Sequence, residues 1–138
     1  MSEPAPRAVS GSPTSEGGHA IPSVIAGRYK VEKLLGEGGM GAVYLVTHTA
    51  MRKRFALKVL HTQTAKLPEM AARFEREAMA AAHVEHPNIT VATDFGKTED
   101  GALFLVLEYL EGHRLRDALA HGPFDVRRAV HITRQIAS

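Results

Sequence analysis

Apolar and polar positions along this chain form short runs of two kinds. From Arg28 onward, residues 29–35, 42–47 and 54–60 are brief stretches rich in aliphatic, β-branched and aromatic side chains, separated by glycine-bearing or charged turns. Such runs predict three strands joined by turns. Pro68 then stands before an Ala-rich stretch, 69–84, in which Met70, Phe74, Ala78 and Ala81 recur at helical spacing. A helix is expected there, opened by the Pro and stopped at Pro87-Asn88. Residues 89–95 and 103–109 read as two more strands around a turn at 96–101. A short helix at 114–120 follows, then another from Phe124 or Asp125, with Val126, Val130, Thr133 and Ala137 along one side.

Strands that succeed one another by short turns pair antiparallel. The expected fold class is therefore α+β, a five-stranded antiparallel sheet with one packed helix, followed by further helices. Residues 1–26 differ in texture. Pro4, Pro6, Pro13 and Pro22 alternate with Ser and Gly, and large apolar side chains are few. That segment buries too little to offset its ordering entropy, so a disordered leader is expected. The division read from the sequence is a leader at 1–26, a sheet-and-helix unit at 27–112, and helices at 113–138.

Composition narrows the function classes. The net charge is +2, and the densest basic run is Arg52-Lys53-Arg54, which a solvated turn explains, so no nucleic-acid partner is expected. With no Cys, disulfides and thiolate metal sites are excluded. No apolar run approaches the roughly 20 residues of a membrane helix. Met1 to Arg7 lack a signal-peptide pattern, and a cytoplasmic location is expected.

Two features carry candidate chemistry. Gly36-Glu37-Gly38-Gly39-Met40-Gly41 fits G-x-G-x-x-G, but a dinucleotide-binding loop should lead into a helix, and Ala42-Val43-Tyr44-Leu45-Val46 is strand-like. A P-loop fails as well, because Ala42 follows Gly41 where Lys is required. What remains is a glycine-rich hairpin, either a flexible turn or a cradle whose bare N–H groups approach phosphates. In Ala56-Leu57-Lys58, alternation puts Ala56 and Lys58 on one face and Leu57 and Val59 on the other. A small residue beside a Lys leaves room for a flat ring, with a cation placed for its phosphates.

Leu35-Gly36-Glu37-Gly38-Gly39-Met40-Gly41-Ala42-Val43-Tyr44, followed by Phe55-Ala56-Leu57-Lys58, resembles the ATP-binding signature of protein kinases, in the form of the bacterial serine/threonine class. The resemblance implies a kinase-like N-terminal lobe that takes ATP, with Mg²⁺ in the complete kinase. It implies that the loop residues Leu35 to Ala42 lie over the nucleotide, and that Val43 and Ala56 sit over adenine. Lys58 would hold the α- and β-phosphates and pair with Glu77. Phe74 and Glu77, three apart, lie on neighbouring positions of one helix surface; the competing reading of Glu77 is a solvated pair with Arg73. The stretch Leu103 to Gly112 resembles the fifth strand and hinge, with Leu107 as gatekeeper and the Glu108 carbonyl and Leu110 N–H bonding adenine.

Two motifs point elsewhere than they first suggest. His83 and His86 lack a third ligand and match the segment after the kinase helix, so they read as structural. Asp94-Phe95-Gly96 spells the tripeptide whose Asp binds Mg²⁺ in kinases, but it precedes the hinge. It reads as the end of a strand and its turn glycine, and no metal ligand is assigned. The resemblance covers 28–138 and contains no His-Arg-Asp catalytic loop, no metal-binding Asn and no second Asp-Phe-Gly. The catalytic base is absent, and these 138 residues are expected to hold ATP without transferring its γ-phosphoryl group to protein Ser or Thr. The partners implied are ATP and a protein substrate or the missing C-terminal lobe. Marginal stability and self-association are expected with that lobe missing. The alternative is a non-catalytic nucleotide-binding or docking module; an oxidoreductase using a dinucleotide is disfavoured by the strand after Gly41.

Overall fold

The computed structural model describes residues 23–138; the expected leader, over 1–22, lies outside the described residues. In chain order the elements are β1 (Val24–Ile25), β2 (Tyr29–Gly38), β3 (Gly41–His48), β4 (Arg54–Leu60), α1 (Thr62–Ala65), α2 (Pro68–His83), β5 (Ala92–Lys97), β6 (Leu103–Glu108), α3 (Leu115–Leu119) and α4 (Val126–Ala137). The strands form one antiparallel sheet ordered β1-β2-β3-β4-β6-β5.

This sheet has one strand more than the five expected. Ile25 pairs with Tyr29 and is buried, so the ordered sheet begins before Arg28. Ala26 and Gly27 make that turn with φ of 50° and 66°. The fourth expected strand also shifts, from 89–95 to Ala92–Lys97. Gly96 is thus a strand residue rather than a turn glycine; a Cβ there would stand 2.9 Å from the Phe104 ring. α2 stops at His83, where Val84 turns extended, before Pro87 is reached.

Each face of the sheet has its own core. Ile25, Tyr29, Val46, Phe55, Leu57, Phe104 and Val106 form one. Leu60, Leu103 and Leu105 form the other, with Phe74 and Ala78 of α2 lying on them. β6 therefore feeds alternate side chains into two cores, which explains its unbroken apolar run. Each such side chain contributes about 1.5–3 kcal/mol when fully buried.

The first core is closed by a clasp. Asp94 lies on β5 and Tyr29 on β2, with three strands between them in the sheet order. Yet the Tyr29 hydroxyl donates to Asp94 Oδ2 at 2.7 Å, and Arg28 Nη2 donates to the same oxygen at 2.6 Å. The sheet is curled enough to bring β5 back to the start of β2 over the aromatic cluster of Tyr29, Phe55 and Phe104. Burial opposes the Asp94 charge, but the hydrogen bonds from Arg28, Tyr29 and the Phe95 N–H outweigh it and hold the carboxyl below its usual range.

α4 is capped by Asp125, whose side chain accepts from the Arg128 N–H at 3.0 Å. It has no buried residue, and Val126, Val130 and Ile136 are exposed. Asn88 ties the α2–β5 connection to it by donating to the Gln135 carbonyl at 2.9 Å.

Asp94→Ala is expected to cost about 2 kcal/mol of stability, since it removes charged hydrogen bonds and leaves Tyr29 unpaired. A carboxyl held low stabilises above its ordinary value and loses that contribution as pH falls through its folded value. The gap between wild type and Asp94→Ala in urea unfolding should therefore be full near pH 7 and shrink below about pH 4. A gap independent of pH contradicts the clasp. A Cβ on Gly41 would stand 2.1 Å from the Val59 carbonyl oxygen, whereas one on Gly38 meets nothing within 4 Å. Gly41→Ala should cost about 2 kcal/mol or more, and Gly38→Ala within about 0.5 kcal/mol, in the same assay.

Candidate nucleotide site

The glycine segment forms the tip of the β2–β3 hairpin, with Gly38 opposite Gly41 and Gly39-Met40 turning between them. The pairing slips between Leu34 and Gly36, so Leu35 sits in a bulge. Such bulges re-aim side chains next to functional sites. His61, directly after β4, holds the tip. Its N–H donates to the Met40 carbonyl at 3.1 Å, and its Nε2 stands 3.2 Å from the Gly38 carbonyl and 3.8 Å from the Glu37 carboxylate.

Register decides which residues meet. Val43 lies opposite Lys58, and Lys58 opposite Leu105. Ala56 lies opposite Leu107. Facing residues of an antiparallel pair share a side, so Val43, Ala56, Lys58 and Leu107 stand together on the face that carries α2. Ala42 is opposite Val59 and buried on the other face, and Glu37 faces Ala42. Strand alternation thus keeps the Ala42 and Glu37 side chains from the Lys58 face.

Lys58 Nζ stands 3.9 Å from Glu77 Oε2 and 5.4 Å over the centre of the Phe74 ring. Glu77 also accepts a hydrogen bond from Arg73 Nε at 3.1 Å. Both sequence readings of Glu77 are realised at once, with Arg73 the nearer partner. The Lys58 and Glu77 side chains are 38% and 48% exposed, so their pairing contributes little to stability and its significance is positional.

At the far end of β6, Glu108 is half-buried and Leu110 exposed. The Glu108 side chain has a role the sequence did not suggest: Oε1 accepts from the Val91 N–H at 3.0 Å. Nor does the sequence point to Arg114, before α3, whose guanidinium lies 3.5 Å from where a Gly36 Cβ would stand. No spacing rule links residues so far apart in sequence. His83 Nδ1 contacts the Met79 carbonyl at 2.6 Å and His86 accepts from the Asn88 N–H at 3.1 Å, so both serve local structure. Among the described residues no three His, Asp or Glu side chains are grouped to hold a metal, and Asp94 is taken up by the clasp.

The protein kinase domain family matches residues 29–138. A serine/threonine-protein kinase of Myxococcus xanthus, pkn3, is 41% identical over 119 residues, covering 86% of this chain and 22% of the relative. PrkC of Bacillus subtilis, another serine/threonine-protein kinase, is 38% identical, over 83% of this chain and 18% of its own length. The chain thus spans about a fifth of these curated relatives. The crystal structure of the Mycobacterium tuberculosis PknI kinase domain superposes with a TM-score of 0.70 at 32% identity, over 86% of this chain and 50% of that one. From its glycine hairpin to its last helix, this chain belongs to the protein kinase domain family.

Proposed function

We propose that residues 29–138 form the ATP-binding portion of a serine/threonine protein kinase, whose whole-protein reaction transfers the γ-phosphoryl group of ATP to protein Ser or Thr. The observation that carries this reading is the meeting of Lys58, Glu77, Ala56 and Leu107 on one sheet face beside the glycine hairpin. The small Ala56 side chain leaves room for a flat base. Lys58 is accessible as a cation for phosphates, and Gly38 and Gly39 have open space over their backbone. These features fit a nucleoside triphosphate.

In this reading Glu77 orients Lys58, the α- and β-phosphates bind Lys58, and the Gly36–Gly41 hairpin covers them. Adenine lies against Val43, Ala56 and Leu107, with the Glu108 carbonyl accepting and the Leu110 N–H donating. Bound ATP supplies the transferable phosphoryl group. The described residues do not fit Mg²⁺, because no three His, Asp or Glu side chains among them are grouped for it and Asp94 is engaged elsewhere. No His-Arg-Asp segment stands within these 138 residues to take a hydroxyl proton. This stretch alone therefore binds nucleotide without transferring phosphate. Use of ATP as cosubstrate supports a cytoplasmic site of action. Among the described residues no helix is long and apolar enough to cross a membrane.

Calorimetric titration of the 138-residue chain with MgATP tests the site. Lys58→Ala is expected to weaken binding by about tenfold or more, the scale of a charged hydrogen bond lost. Glu77→Gln should weaken it less, since Glu77 acts through Lys58. Unchanged affinity in Lys58→Ala contradicts the reading.

A further inference from the structure

Glu108 is the last residue of β6, where the chain leaves the sheet toward Leu110. Its N–H donates to the Val91 carbonyl at 3.0 Å, and its carboxylate accepts from the Val91 N–H at 3.0 Å. One residue thus satisfies both main-chain groups of Val91. An ordinary ladder would use two backbone groups for this. Here β5 opens only at Ala92, and its pairing with β6 is irregular between Ala92 and Asp94. The side chain stands in for a backbone rung where the ladder has not yet begun.

The chain just before Val91 is held from its other side. Asn88 donates to the Gln135 carbonyl and to Ser138 Oγ, both at 2.9 Å. The segment that Glu108 grips is therefore bonded on one side to the end of β6 and on the other to α4 and Ser138. Among the described residues no Lys or Arg pairs with Glu108. Its contribution is that of an acceptor at the right length rather than of a charge.

We propose that the Glu108 carboxylate is a positioning residue for base recognition: by gripping Val91 it fixes the orientation of the Glu108 main-chain carbonyl and the Leu110 N–H toward the nucleobase. This rests on the nucleotide reading above. It makes the hinge sensitive to a side chain that touches no nucleotide atom. Removing the carboxylate leaves the Glu108 main chain held only by its N–H bond to Val91 and its pairing with Phe55, and base discrimination falls. Binding to Lys58, on the neighbouring strand, is not part of this grip.

The test compares ATP with ITP, which carries a carbonyl in place of the 6-amino group, titrated into the 138-residue chain alongside thermal unfolding. Wild type should prefer ATP, because the Glu108 carbonyl accepts from the 6-amino group. Glu108→Ala should shrink that preference by about three- to tenfold, the worth of one hydrogen bond. Glu108→Gln keeps an acceptor at the same reach and should retain the preference. Glu108→Met keeps length without an acceptor and repeats the test if the Ala variant does not fold. An undiminished preference in both Glu108→Ala and Glu108→Met overturns the proposal, whatever happens to their melting temperatures. So does a Gln variant as impaired as the Ala variant. A wild-type chain indifferent to ATP and ITP overturns the hinge reading itself and this inference with it, whereas a Lys58→Ala loss with normal discrimination in Glu108→Ala overturns the Glu108 role alone.

Discussion

The placement of β4 between β3 and β6 constrains everything else in the molecule. Val43, Lys58 and Leu105 stand side by side across these three strands, as do Leu45, Ala56 and Leu107. A slip of one residue would turn Lys58 into the core and Leu57 out of it. Leu57, Val46, Phe104 and Val106 are completely or almost completely buried on the far side, and their burial makes any other register costly. The same alternation that fills this core leaves Ala56 and Lys58 on the opposite face, beside α2. Core packing and site geometry are two consequences of one pairing.

The curl of the sheet adds a second constraint. With Asp94 drawing β5 toward β2, one core is wrapped by the sheet, and only the other face is free to receive a helix. α2 occupies that face through Phe74 and Ala78, and this brings Glu77 to Lys58. Glu77 is shared, held closely by Arg73 and more loosely by Lys58. In an exposed setting such sharing stabilises little, so it sets direction rather than strength.

Much of this was legible in the sequence because it depends on short-range pattern. Runs rich in β-branched and aromatic residues at 42–47 and 54–60 placed β3 and β4 to within a residue or two. Spacing from Phe74 to Ala78 placed the buried stripe of α2. The strand-like residues after Gly41 separated the glycine hairpin from a dinucleotide loop, and the match to the kinase signature extended that to Lys58 and Glu77. What stayed hidden is long-range or too short for any period. A two-residue strand at Val24–Ile25 and one helical turn at Thr62–Ala65 leave no repeat to find. The Asp94 clasp joins residues 65 and 66 apart. Gly41, readable as a phosphate-loop glycine, is also demanded by the Val59 carbonyl at its back, a contact visible only once β3 and β4 are paired. Alternation along β3 puts the Ala42 side chain on the far face, opposite Val59.

In the function proposed above, the glycine hairpin, Lys58 and the end of β6 act as one nucleotide site. Backbone amide shifts of the isotopically labelled chain, followed by NMR as MgATP is added, test it most directly. Saturable shifts are expected at Gly36 through Val43, Ala56 through Lys58, Glu77 and Leu107 through Leu110. Shifts centred on α4 or on the Asp94 clasp, or no saturable shifts at all, would contradict it.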